Sequence, residues 1–198
     1  MDLLTAIKSW DKNLFLGLNN LPHPWFLDQV FLFFSFYPLI IWLIIGVIVV
    51  LYEERNEKLF LVRLVVALVL AGIVATALIK PIIRRPRPDI SFGDQVVMVQ
   101  EKPAAFPLSN DFAFPSGHAA VAFAGAYVVT YEEIKNNKKR KRKINIWIFY
   151  LAATLTAFSR IYLGKHYPLD VLAGGLLGWV MGWVAWKLVD LVKPPKAY

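Results

Sequence analysis

The chain carries its reactive side chains in three short clusters. Lys80, Arg84, Arg85 and Arg87 form the first, Ser116, Gly117 and His118 the second, and Ser159, Arg160, His166 and Asp170 the third. Several cations, two histidines and one carboxylate are the parts of a site for a multiply charged anion, and phosphate is the natural candidate. Phosphoryl transfer spreads negative charge over three equatorial oxygens and depends on positioned cations more than on covalent help. Lys80, Arg87 and Arg160 supply those cations, and the planar fork of arginine holds two phosphate oxygens at once. Ser116 adds a hydroxyl. The Gly117 amide, uncovered by a side chain at the start of a helix, adds a backbone donor aided by the helix dipole.

His166 and Asp170 have the spacing of a nucleophile and its orienter. With Pro168 at the first helical position, Asp170 falls in the first turn and is expected to accept a hydrogen bond from one imidazole nitrogen, leaving the other to attack phosphorus. Zinc held by this pair is the weaker reading. A hydrolytic metal collects three histidine or carboxylate ligands, and Lys80, Arg87 and Arg160 would repel it. No metal and no cofactor is expected.

The spacing sharpens the reading further. Lys80 leads to Arg87 and Pro88, Pro115 to His118 reads PSGH, and Ser159 and Arg160 are followed by His166 and then Asp170. At every signature position this resembles the type 2 phosphatidic acid phosphatase superfamily, which also includes vanadium haloperoxidases and glucose 6-phosphatase. The resemblance extends along most of the chain, in the order of the apolar spans and the long loop between the first two motifs. It implies a phosphohistidine at His166, with His118 protonating the leaving oxygen and later helping to activate water. Lys80, Arg87, Ser116, Gly117 and Arg160 would bind phosphate. Arg84, Arg85 and Ser159 remain candidate headgroup contacts. Bacterial members that the chain resembles act on undecaprenyl diphosphate, phosphatidylglycerol phosphate or the 1-phosphate of lipid A. The resemblance therefore implies removal of a terminal phosphate from a phospholipid, lipid A or polyprenyl phosphate. A lipid phosphotransferase using the same phosphohistidine is the alternative, with an anion transporter behind it.

Elements that could hold such a site must lie in a membrane. Of 198 residues, 58% are hydrophobic and 18% charged, against about 45–50% and about 25% in ordinary soluble domains. Mean hydropathy is +0.51. About 20 apolar residues cross a hydrocarbon core, and the apolar runs predict five helical spans: Gln29 to Tyr52, Leu59 to Ile79, Ala113 to Tyr131, Ile144 to about Leu163, and Pro168 to Val189. Arg63 lies close enough to the start of the second to snorkel to the headgroups. In residues 1–20, Leu3, Ile7, Trp10, Leu14 and Leu18 recur at helical spacing, with Lys8, Ser9, Asp11, Lys12 and Asn13 on the other face, which predicts a helix lying in the interface. The expected fold is a single all-α polytopic bundle over 1–198. Members of the family commonly have six spans, and this chain replaces the first with the amphipathic helix.

Orientation follows from Lys135 and the run Lys138 to Lys143, which mark their loop as cytoplasmic. The segments Glu53 to Lys58 and Lys193 to Tyr198 then share that side, and the site faces the periplasm or exterior of a bacterial inner membrane. Squeezed between two spans, the basic run reads as a topology determinant, so membrane and lipid are the expected partners and nucleic acid is not. Cysteine is absent, which removes disulfides and thiol chemistry. Residues 80–112 form a long outer loop with apolar Phe92, Val96, Val97, Val99, Phe106 and Leu108, expected to act as a lid. Gly174, Gly178 and Gly182 are expected to pack against Ala119, Ala122 and Ala126. His23 reads as a capping or packing residue, and Trp10, Trp25, Trp179, Trp183 and Trp186 as interfacial or lipid-facing aromatics.

Overall fold

The computed structural model describes residues 2–36, 38–52, 58–99, 112–136 and 145–192. Residues 53–57 and 193–198 of the expected cytoplasmic segments, 100–111 of the expected lid and the run 138–143 lie outside them. The regular elements among the described residues are helical, and extended backbone pairs in one isolated bridge, Pro86 with Phe112.

Helix α1, Leu3–Asn19, starts where the Asp2 side chain accepts the Thr5 amide at 2.8 Å, one of the helix-end donors that otherwise lack a partner. Leu3, Leu4, Ile7 and Trp10 are exposed, as a stripe turned toward lipid would be. The face turned to the protein is Asp11, Phe15 and Asn19. Asp11 therefore does not belong to a solvated face, as its neighbours Lys8 and Lys12 suggested.

The first expected span is two helices, α2 (Trp25–Phe36) and α3 (Pro38–Tyr52). Pro38 has no amide to continue the ladder, and Trp25–Phe36 lies at 77° to Ile40–Ile48. The second span runs longer than expected, through α4 (Lys58–Ile73), a π-helical turn (Val74–Ile79) and α5 (Lys80–Ile83). Phe60, Leu64, Ala67, Ala71 and Ala75 face inward along it. Continued at helical spacing, that face would next present Leu78 or Ile79. The π turn, closed by the Lys80 amide on the Ala75 carbonyl, inserts the extra residue that brings Lys80 inward instead and leaves Leu78 exposed. Such insertions recur at functional sites.

After the short helix α6, Pro88–Phe92, come α7 (Gly117–Asn136), α8 (Trp147–Tyr162) and α9 (Pro168–Leu191). Among the described residues, Leu59–Ile83 and Pro168–Leu191 are long and apolar enough to cross a membrane, and the bent pair makes a third if it is one span. Helix α7 is the centre, packed against α4, α8 and α9. Close approach of α9 depends on its glycines. A Cβ on Gly174 would stand 2.4 Å from the Ser116 carbonyl oxygen and one on Gly178 2.0 Å from that of Ala120. Gly182 faces Tyr127 and Gly174 has Ala119 beside it, so Ala120 and Tyr127 join the expected contact set.

Two charged clusters cap the opposite ends of α4, α7 and α9. At one end Arg63 does not snorkel. It is buried, donates to Glu132 at 3.0 Å and Asp190 at 2.5 Å, and lies 3.8 Å over the Trp186 ring. Carboxylates from two other helices supply what headgroups would have supplied, and Trp186 is buried with them rather than facing lipid. His23 packs as expected, with its ring nitrogens 3.0 Å from Asp28 and 2.8 Å from the Asn19 carbonyl.

Candidate active site

The other end of those helices holds the three motifs, joined first through backbone. The Ala113 amide donates to the Arg85 carbonyl at 2.8 Å, next to the Pro86 and Phe112 bridge, so the first motif is tied to the approach to the second. The Ser116 amide donates to the Asp170 carbonyl at 2.9 Å, tying the second motif to the third. Within the third, the amides of Lys165 and His166 both donate to the Arg160 carbonyl. Gly164, with φ of +78° and Val96, Val97 and Met98 pressed against it, lets the chain turn from α8 into α9.

Lys80, Ser116, Ser159, Arg160, His166 and Asp170 are all buried around this junction. Lys80 lies within electrostatic range of Arg87, Arg160 and Asp170, and His118 within range of Arg160, His166, Lys80 and Arg87. Three of the expected phosphate ligands, Lys80, Arg87 and Arg160, and both histidines thus surround one place. Ser116 caps α7 through its hydroxyl, 3.4 Å from the Ala119 amide. Gly117 begins that helix with its Cα 's open side against Thr76, where a Cβ would meet the methyl at 3.1 Å. Arg160 also donates to Ser35 of α2, a partner that no motif in the sequence signals.

His166 lies in the turn between α8 and α9. Burial, and after it the charges of Arg160, Lys80 and Arg87, hold its imidazole well below the ordinary range, while a hydrogen bond to the Ala113 backbone opposes them. A neutral ring is the form that can attack. Pro168 opens α9 as expected, and Asp170 sits in the first turn. The expected hydrogen bond is not formed: His166 Nδ1 is 3.7 Å from Asp170 Oδ2 and has no hydrogen-bond partner among the described residues. Asp170 instead accepts the Tyr167 amide at 2.9 Å and Arg85 Nη1 at 2.7 Å.

The candidate headgroup contacts resolve differently. Arg85 turns inward, its second terminal nitrogen donating to Asp11 at 2.6 Å and its guanidinium 3.9 Å over the Tyr167 ring. Ser159 donates to the Thr156 carbonyl inside α8. Arg84 is exposed, with φ of 50°, and its Nε donates to the Pro81 carbonyl at 2.8 Å. Sequence reasoning missed Asp11, Asn19 and Tyr167 at this junction. The spacing of Asp11, Phe15 and Asn19, every fourth residue along the flank of the apolar stripe, is the signal that marks the first two of these; no such signal marks Tyr167.

A helical bundle with cations, two histidines and a buried carboxylate at one end has the makings of a membrane phosphatase. The chain belongs to the PAP2 superfamily, whose family model matches residues 60–193, and whose members hydrolyse phosphate esters or anhydrides in membrane lipid metabolism. It is 26% identical to the undecaprenyl-diphosphatase BcrC of Bacillus subtilis, over 90% of this chain and 82% of that protein. It is 28% identical to a lipid A 4'-phosphatase of Bacteroides thetaiotaomicron, over 92% and 78%. Among solved structures, that of Aquifex aeolicus LpxE aligns with a TM-score of 0.65 and 30% identity, over 88% of this chain and 93% of that one.

Proposed function

We propose that the protein is an integral membrane lipid phosphatase that removes a terminal phosphate from a lipid phosphate or diphosphate through a phosphohistidine. In the first step a neutral His166 nitrogen attacks phosphorus, the bond from phosphorus to the lipid oxygen breaks, and His118 gives that oxygen a proton. In the second, water attacks the phosphohistidine, the phosphorus–nitrogen bond breaks, and His118 takes the proton of the water. Lys80, Arg87, Arg160, Ser116 and the Gly117 amide hold the oxygens that gain charge, so the reaction needs no metal. Asp170 stabilises the imidazolium that forms.

One observation supports this reading: the Ala113 to Arg85 and Ser116 to Asp170 backbone bonds stitch the three motifs together at the end of the bundle that carries His166. The chain crosses a bacterial inner membrane as a multi-pass bundle with this end outward and the Lys135 end cytoplasmic. Loading from the outer leaflet favours a lipid over a soluble phosphomonoester. Undecaprenyl diphosphate, phosphatidylglycerol phosphate and lipid A phosphate share the group that these residues grip. The test is inorganic phosphate release from each lipid by the purified protein in detergent. Release from at least one, undiminished by excess EDTA and blocked by vanadate, supports the reading. No release from any of them, or release lost to EDTA and restored by zinc or magnesium, overturns it.

A further inference from the structure

Helix α1 meets the site through polar side chains, where a helix resting in the interface would meet it through apolar ones. Asp11 is fully buried. One carboxylate oxygen accepts Arg85 Nη2 at 2.6 Å, and the other accepts the Leu169 amide at 2.9 Å. Leu169 lies in the first turn of α9, beside Asp170, so Asp11 caps from another helix a donor that the turn itself leaves unmatched. Arg85 is thereby stretched between two carboxylates, Asp11 and Asp170. Four and eight residues further on, Phe15 packs in one aromatic cluster with Phe92 and Tyr167, and Asn19 bonds both the amide and the carbonyl of Val97 and the carbonyl of Tyr162. The whole inward face of α1 thus grips the segments that carry Arg85, His166 and Asp170.

From this geometry we propose that Asp11, which lies outside the segment matched to the family, is a positioning residue of the reaction: through Arg85 and the Leu169 amide it fixes Asp170 against His166. The inference rests on the phosphatase reading above. Its physical content is a charge balance. With Asp11 ionised, one guanidinium serves two carboxylates, and the group facing His166 keeps a net negative charge for the imidazolium. Without that charge, Arg85 neutralises Asp170 alone and draws it away from the ring.

The test is a double-mutant cycle on phosphate release, using wild type, Asp11→Asn, Arg85→Gln and the double variant, with kcat calculated per folded enzyme. Asparagine keeps an acceptor for the Leu169 amide and removes the charge. Asp11→Asn is expected to lower kcat at least tenfold with KM within about threefold, since Asp11 touches no substrate. In the Arg85→Gln background it should cost nothing further, because interacting residues are not additive. Asp11→Ser serves the same purpose should the asparagine variant not fold. A wild-type kcat in both Asp11 variants, or losses that multiply in the double variant, overturns the proposal while leaving the phosphatase reading intact provided His166→Ala is inactive. An inactive wild type removes both.

Discussion

His166 Nδ1 and Asp170 Oδ2 face each other across 3.7 Å, with the carboxylate already engaged by Arg85 and by the Tyr167 amide. Asp170 is therefore held by partners other than the histidine. Catalytic hydrogen bonds often tighten only when substrate binds. Asp170→Asn is expected to lower kcat by a factor of about 10² or more and to lower the thermal midpoint as well, since one amide atom can still accept the Tyr167 N–H but the other becomes an NH2 facing the Arg85 donor. Unchanged kcat would show that the imidazole works without this partner.

Arg84 separates the inward arginine from a merely adjacent one. Its backbone lies in the left-handed region with φ of 50°, where a side chain costs about 1–2 kcal/mol and glycine does not. Arg84→Gly should keep wild-type kcat and raise the thermal midpoint in detergent, whereas Arg85→Gln loses activity. A tenfold loss in Arg84→Gly would assign that side chain to substrate binding.

Gly178 sets the spacing between α7 and α9. Because a Cβ there would sit 2.0 Å from the Ala120 carbonyl oxygen, Gly178→Ala must push backbone apart, and overpacking of this kind costs about 1–3 kcal/mol. A lower thermal midpoint is expected, with activity falling as the Ser116 to Asp170 contact loosens. The exposed neighbour Leu176 is the control, and Leu176→Ala should leave both unchanged.

The lowered affinity of His166 for protons has a signed consequence. Above about pH 6.5 the imidazole is neutral in folded and unfolded chains alike. Below it the unfolded chain binds a proton that the folded site refuses, so stability falls with pH from there down through the folded pKa. Thermal unfolding in detergent at pH 7.5 and 5.5 should show a smaller drop for His166→Asn than for wild type. Equal drops would mean that the folded imidazole titrates normally.

The three motifs were legible in the sequence because their spacing is local: PSGH opens a helix, and Asp170 sits one turn past His166 whatever the rest does. The contacts that support them were not, since Asp11 with Arg85 and Ser35 with Arg160 join residues far apart in the chain. Polar residues on an amphipathic helix read as solvated until a partner is known. Arg63 failed for the same reason, its carboxylates lying on α7 and α9. Hydropathy located the apolar runs, but it is blind to the bend at Pro38 and to the π turn that delivers Lys80 to the site.

The central claim is that His166 is the nucleophile, and rapid quench after mixing with a lipid carrying a labelled terminal phosphate tests it directly. Wild type, and Asp170→Asn more slowly, should yield an acid-labile phosphoenzyme, while His166→Ala yields none. His118→Ala should still be labelled by a diphosphate lipid, whose leaving group needs less protonation than an alkoxide. A label found on His118, or full labelling of His166→Ala, would contradict the account.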